Sequence, residues 1–139
     1  MLYQLRSDDR QGQERFLPLS RSRLGRAAEA VAVDYLVSRG FEVVDCNLRV
    51  GALEIDILAR QGPLIVVVEV RTRGATSFTR ALSSVDSVKR GRLVRAAEQV
   101  WRERFAGDKT AERLRFDVVA VLFDDKTTRV EHVVGAFTA

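Results

Sequence analysis

Two adjacent β-prone segments of this chain each carry a carboxylate where a sheet would bury it. Residues 53–59 alternate in character and residues 64–70 are rich in β-branched side chains, with Gln61, Gly62 and Pro63 supplying the turn between them. Strand side chains alternate, so Leu53, Ile55, Ile57 and Ala59 are expected on one face and Glu54, Asp56 and Leu58 on the other. In the second strand Leu64, Val66, Val68 and Val70 share a face, and Ile65, Val67, Glu69 and Arg71 share the opposite one. A connecting loop with an even number of residues puts Asp56 and Glu69 on the same face, within roughly 5–8 Å between Cβ atoms. An odd loop separates them. Two such carboxylates repel each other, and partial burial raises their pKa values. A divalent cation between them removes both costs. The competing reading pairs Glu69 with Arg71 or another arginine and leaves Asp56 capping the frayed end of its strand.

The hairpin sits within a longer series of elements. Leu24, Ala28, Val31, Ala32, Tyr35 and Leu36 recur at helical spacing and predict a helix over 22–39, with Ser20 or Ser22 at its start and Gly40 just past its end. Glu29 lies close to the apolar stripe of that helix. A strand is expected over 41–46, a second helix over 84–105 with Val94, Ala97, Trp101 and Phe105 facing inward, and two closing strands over 114–123 and 129–134. The order α-β-β-β-α-β-β predicts an α/β domain with a mixed sheet and helices packed on it. Residues 1–20 read as a flexible extension and 21–139 as one domain.

Composition bounds the chemistry. With 139 residues, 46% hydrophobic and 30% charged, the chain has the makeup of one folded domain. No apolar run is long enough to span a bilayer, no secretory h-region opens the chain, and a single cysteine, Cys46, excludes an intramolecular disulfide. The expected location is the cytoplasm. One cysteine and one histidine, His132, exclude a Cys/His zinc cluster within one chain, so a catalytic metal would take oxygen ligands, as Mg²⁺ or Mn²⁺ does. A net charge of +4 favours a polyanionic partner, although solubility alone also accounts for it. All but three of the basic residues are arginine (the lysines are Lys89, Lys109 and Lys126), and Arg90, Arg92 and Arg95 cluster on the second helix, where they face either phosphates or solvent.

Several motifs in order are similar to the YraN family of small bacterial proteins, which is assigned to the restriction-endonuclease-like, PD-(D/E)XK nuclease superfamily. They are Gly25 to Glu29, Asn47-Leu48-Arg49, Glu54-Ile55-Asp56, Val68-Glu69-Val70-Arg71-Thr72-Arg73, Lys89 and Arg115-Phe116-Asp117-Val118-Val119. The resemblance spans Arg21 to Phe137 and implies a restriction-endonuclease-like αβββαβ core. It implies Asp56 and Glu69 as direct metal ligands, with Glu29 completing the site. It further implies a Mg²⁺-dependent endonuclease acting on DNA, with Holliday-junction resolvases among its relatives and hence a branched substrate and a homodimer as expectations.

Two departures stand out. Leu53 occupies the position of a glycine before Glu54, and Arg71 occupies that of the catalytic lysine. Arginine keeps the charge and binds phosphate, but its pKa above about 12 prevents it from acting as a base. Either Arg71 acts electrostatically, or Lys89 supplies the amine from another element, or cleavage is lost and a nucleic-acid-binding module remains. A protein-assembly role on the same fold would instead require an exposed apolar patch. Asp117 is expected to pair with Arg115 or Arg49 rather than metal, His132 to lie at the surface or an interface, and Trp101 to be core.

Overall fold

The computed structural model describes residues 2–3, 21–73, 87–124 and 126–137. A short strand β1 (Leu2–Tyr3) is followed by helix α1 (Arg21–Ser38) and by strands β2 (Glu42–Val50), β3 (Leu53–Gln61) and β4 (Leu64–Arg73). Helix α2 (Ser87–Val100) continues as a π-helical turn (Trp101–Phe105), and β5 (Arg113–Phe123) and β6 (Thr128–Phe137) close the chain. The strands form one sheet in the order β1-β6-β5-β4-β3-β2. β4 and β5 are parallel and the other neighbours antiparallel. The fold is thus α/β, with a mixed sheet and the expected αβββαβ core. Of the extension, Leu2 and Tyr3 pair with Arg129 and Thr128 of β6, while residues 4–20, and 84–86 of the predicted second helix, lie outside the described residues.

β4 is the middle of the core because both of its faces are covered. Val66 and Val68 pack with Ala28, Val31, Ala32 and Leu36 of α1. Ile65 and Val67 pack with Leu93, Ala96, Ala97 and Val100 of α2. Fully burying each of these valines, leucines and the isoleucine contributes about 1.5–3 kcal/mol, and each alanine less. The buried stripe of α2 is rotated from the predicted one. Leu93, Ala96, Ala97 and Val100 are buried, whereas Val94 and Trp101 are only partly so. Two small alanines at its centre let the helix approach the sheet closely, and the larger side chains are pushed to its flank.

Local chemistry ends each element. Gly40 adopts φ 88, and the Gly40 and Phe41 amides donate to the carbonyls of Val37 and Leu36. This is a Schellman closure of α1, which favours glycine. Gln61 pairs with Leu64, so the β3–β4 loop holds two residues, Gly62 at φ 58 and Pro63. That composition suits a type II′ hairpin turn. The loop is therefore even, and the pairs from Gln61↔Leu64 to Ile57↔Val68 extrapolate to Asp56 opposite Glu69.

The simple alternation predicted for β3 fails at this point. Ile57 and Ala59 lie in the α1 cluster, but Ile55 lies in the α2 cluster, with Leu53 packed against it. The cause is on both sides of Asp56. The β3–β4 pairs end at Ile57↔Val68. In β2, Asn47 falls between the partners of Ile57 and Ile55, with φ 53. Asparagine is among the few residues that enter this left-handed region readily. β3 therefore turns over as it leaves β4. β2 runs to Val50 rather than stopping at Cys46, since the β2–β3 pairs resume beyond Asn47.

On the α1 side, Asp117 of β5 is completely buried. It accepts hydrogen bonds from Arg115 Nε and Nη2 (2.8 and 2.9 Å) and from the Gly135 amide (2.9 Å). His132 Nε2 lies 2.7 Å from Oδ2, the oxygen that also accepts Arg115 Nη2, and the Tyr35 hydroxyl lies 3.2 Å from His132 Nδ1. Burial alone would raise the Asp117 pKa, but His132, Arg115 and the Gly135 amide hold it below the usual value. Pairing with Arg115 was expected. A surface His132 was not found: its side chain is 8% exposed, between Tyr35, Phe41 and Asp117. The histidine closes a buried network that begins at Asp117.

Replacing Asp117 by alanine strands Arg115 and His132 and should cost about 3 kcal/mol in urea unfolding. Because the folded pKa of Asp117 is depressed, its contribution is present above the unfolded carboxylate pKa. It fades as pH falls through the folded value, so the gap between wild type and Asp117→Ala should narrow in acid.

Candidate functional site

Three carboxylates converge where β3 leaves β4. Glu29 projects from α1, and Glu54 and Asp56 from the turned-over end of β3. One oxygen of each lies within 4.8 Å of the others. Asp56 is fixed by its own backbone surroundings: Oδ2 accepts the Val70 amide at 2.8 Å. Val70 lies just past the last β3–β4 pair, so the side chain satisfies an amide that the parting strands leave behind. Asn47, opposite Asp56, donates a side-chain hydrogen bond to Glu29. The residue that absorbs the bend in β2 thus also holds the carboxylate of α1.

The electrostatics follow from this crowding. Burial, then the Glu69 charge, then Glu29, push the Asp56 carboxyl up to about 7, against the opposing pull of the Val70 amide and Lys89. Burial and the charges of Glu54 and Glu69 also raise Glu29, while Asn47 lowers it. Glu69 is 3% exposed and is held differently. Its Oε1 lies 2.5 Å from Lys89 Nζ of α2 and 3.2 Å from Arg71 Nη2 of β4. The Arg71 Nε is buried without a hydrogen-bond partner.

The five residues singled out from sequence therefore fall into two linked groups. Glu29 and Asp56 meet with Glu54. Glu69, Arg71 and Lys89 form an ion-paired cluster beside them, with Lys89 close enough to influence Asp56. The structure shows the ion-pair reading of the hairpin, since Glu69 pairs with Arg71 and Asp56 caps a parting strand. Sequence reasoning gave Glu54 and Asn47 no role. The signal for Glu54 was its place two residues before Asp56 on the same strand face. That for Asn47 was a turn-tolerant residue in the middle of an otherwise β-prone segment. Leu53, at the position of the expected glycine, packs against the α2 cluster.

A family model described as the uncharacterised protein family UPF0102 matches residues 28–121. The chain belongs to this family. The UPF0102 protein of Sorangium cellulosum is 50% identical over 75% of this chain and 72% of its own length. That of Anaeromyxobacter dehalogenans is 42% identical over 84% and 85%, and that of Myxococcus xanthus 35% over 90% and 97%. Among solved structures, Pyrococcus furiosus SfsA in complex with Ca²⁺ is similar at a TM-score of 0.39 and 10% identity, over 81% of this chain and 63% of that one. The matched UPF0102 segment contains Glu29, Asn47, Glu54, Asp56, Glu69, Arg71 and Lys89. No helix among the described residues is long and apolar enough to cross a membrane.

The raised Asp56 pKa makes a stability prediction. The folded state favours protonated Asp56, so wild type loses stability as pH rises from the unfolded carboxylate range through about 7. Asp56→Asn keeps an acceptor for the Val70 amide and sheds the charge. In EDTA at pH 8 it should unfold with roughly 2 kcal/mol more stability than wild type, and the advantage should vanish by pH 4. Urea melts at the two pH values read this directly; an equal effect at both would mean that the Asp56 charge is not the cause.

Proposed function

We propose that this chain hydrolyses phosphodiester bonds in nucleic acid, with DNA as the expected substrate, using Mg²⁺ or Mn²⁺ held by Glu29, Glu54 and Asp56. The observation that carries this reading is the convergence of three carboxylates at the fork of β3 and β4, beside a buried Glu69 that holds a lysine and an arginine. The donor set fits a hard cation, since it offers carboxylate oxygens alone. The crowding that pushes Asp56 up to about 7 is the kind that a dication relieves. When bound, such an ion lowers the pKa of a coordinated water and offsets charge building on the phosphate.

The protein's own groups do the rest. Glu69 anchors the Lys89 ammonium beside Asp56, where it can orient a water and stabilise anionic charge. The amine then comes from α2 rather than from β4. Arg71 is permanently charged, which suits it to electrostatic stabilisation of a phosphate and not to proton transfer. A four-way junction as substrate would call for a symmetric dimer, because paired cuts need paired centres.

A second reading is favoured by one observation. Arg71 stands where the resemblance implies lysine, and both local cations are engaged by Glu69. This supports a module that binds nucleic acid without cutting it. A labelled panel of four-way junction, flap, duplex, single strand and RNA, incubated with Mg²⁺ or Mn²⁺, separates the two. Metal-dependent cleavage should fall at least about 10²–10³-fold in Asp56→Asn and in Lys89→Met. A wild type that binds without cutting, and an Arg71→Lys variant that cuts, would establish the binding module instead. Loss in Asp56→Asn with full activity in Lys89→Met would remove the lysine from the mechanism.

A further inference from the structure

Helix α2 carries a polar ridge that leads away from the acidic centre. Lys89, Arg92, Arg95 and Gln99 follow one another at steps of three, three and four residues, so they lie along one side of the helix. Lys89 is the residue that touches Glu69. Gln99 lies about 15 Å farther along the axis at 1.5 Å per residue. Between α2 and the tip of the β2–β3 hairpin is a groove of about 370 Å³, lined by Val50, Leu53, Ala96, Arg92, Arg95 and Gln99 among others. Its volume is that of a small-ligand cleft. Val50, Leu53 and Ala96 give it apolar walls, while Arg92, Arg95 and Gln99 are exposed and polar.

Among the described residues several arginines are engaged by acids, whereas Arg92 and Arg95, like Arg49, Arg102 and Arg113, are not, and Arg92 and Arg95 line the groove. Arg60, Arg71, Arg104 and Arg115 are paired with Asp108, Glu69, Asp45 and Asp117. Among the described residues, Arg92 and Arg95 form no ion pair, although the chain has abundant acids. Two unneutralised guanidinium groups flanking an apolar cleft match the chemistry of a nucleic-acid strand, with phosphates on the arginines and a base against the apolar wall.

We propose that this groove is the strand-binding site, holding nucleic acid up to about four nucleotides from the scissile phosphate. That distance follows from the 15 Å length of the ridge at about 3.4 Å per nucleotide along one strand. The inference rests on the nucleic-acid reading of the acidic centre, but it assigns binding to residues outside that centre. Arg92 and Arg95 position the strand and take no part in bond breaking. Affinity from this groove is largely electrostatic and therefore strongly salt-dependent.

The test measures binding, not cutting. A fluorescein-labelled single-stranded DNA 20-mer is titrated by anisotropy over a range of salt concentrations. The protein is full-length Asp56→Asn, alone and with Arg92→Gln/Arg95→Gln. Arg113→Gln/Lys126→Gln, which removes the same charge from exposed positions elsewhere, is the control, and circular dichroism checks that each variant is folded. The groove variant should bind about 10–100-fold more weakly at low salt, with the slope of log K against log[salt] reduced by about 1.4, the value for two phosphate contacts on a single strand. The control should change little. Equal weakening in the two double variants overturns the groove assignment and leaves the acidic centre untouched. No binding by either wild type in EDTA or Asp56→Asn overturns the nucleic-acid reading along with it.

Discussion

The hydrogen bond from the Val70 amide to Asp56 is the contact on which the site depends. A strand that leaves its neighbour abandons backbone donors, and a buried unpaired amide costs about 1–3 kcal/mol. Asp56 removes that cost by supplying a carboxylate at 2.8 Å just beyond the last β3–β4 pair. With the donor satisfied, β3 is free to turn over. Asn47 accommodates the same bend in β2 by entering the left-handed region. The turn carries Leu53 and Ile55 to the α2 side and brings Glu54 and Asp56 together with Glu29. A straight β3 would have kept its apolar set on one face and Glu54 out of reach of α1.

The charge balance around this fork is uneven. Four carboxylates, Glu29, Glu54, Asp56 and Glu69, share the region, but Lys89 and Arg71 both sit on Glu69. Glu69 is the most enclosed of the four and so has the greatest need of a partner. Burial and like charge, from Glu69 and Glu29 on Asp56 and from Glu54 and Glu69 on Glu29, therefore act in the same direction on both groups. Elsewhere the fold neutralises a buried acid completely. Asp117 receives Arg115, His132 and the Gly135 amide, and its pKa falls. Asp117 has a guanidinium of its own, whereas Asp56 in the same sheet is held by a single amide and no ion pair, and their pKa values move in opposite directions.

The architecture was legible because it rests on periodicity and turn chemistry. The valines of β4, the helical stripe of α1, Gly40 and the Gly62–Pro63 turn each name a local conformation, and the structure adopts it. Legibility stopped where one residue's conformation depends on another strand. Nothing within residues 53–59 reveals that Ile55 and Ile57 belong to different faces, because the break arises from Asn47 across the β2–β3 pair and from the loss of β4. For the same reason nothing in residues 53–59 joined Glu54 to Glu29 of α1. The rotation of the α2 stripe was hidden too, since Val94 and Trp101 are as apolar as Leu93 and Val100 and only the close approach of Ala96 and Ala97 selects between them. His132 lacked any sequence signal because its partners, Tyr35 and Asp117, come from distant elements.

Arg71 and Lys89 meet on one oxygen of Glu69, and that geometry bears on why an arginine is tolerated on β4. A lysine at position 71 would bring a second flexible ammonium to a carboxylate that already holds one. Arginine divides the work. Its Nη2 reaches Glu69, while its Nε is buried without a hydrogen-bond partner. Lys89 approaches from a different direction, on a helix whose buried Leu93 and Ala97 fix its distance from the sheet. The ammonium is therefore positioned by packing of α2 rather than by the register of β4. Lys89 thereby ties the acidic centre to the same element that carries Arg92 and Arg95, so that one helix places both the cation at the fork and the two arginines of the groove.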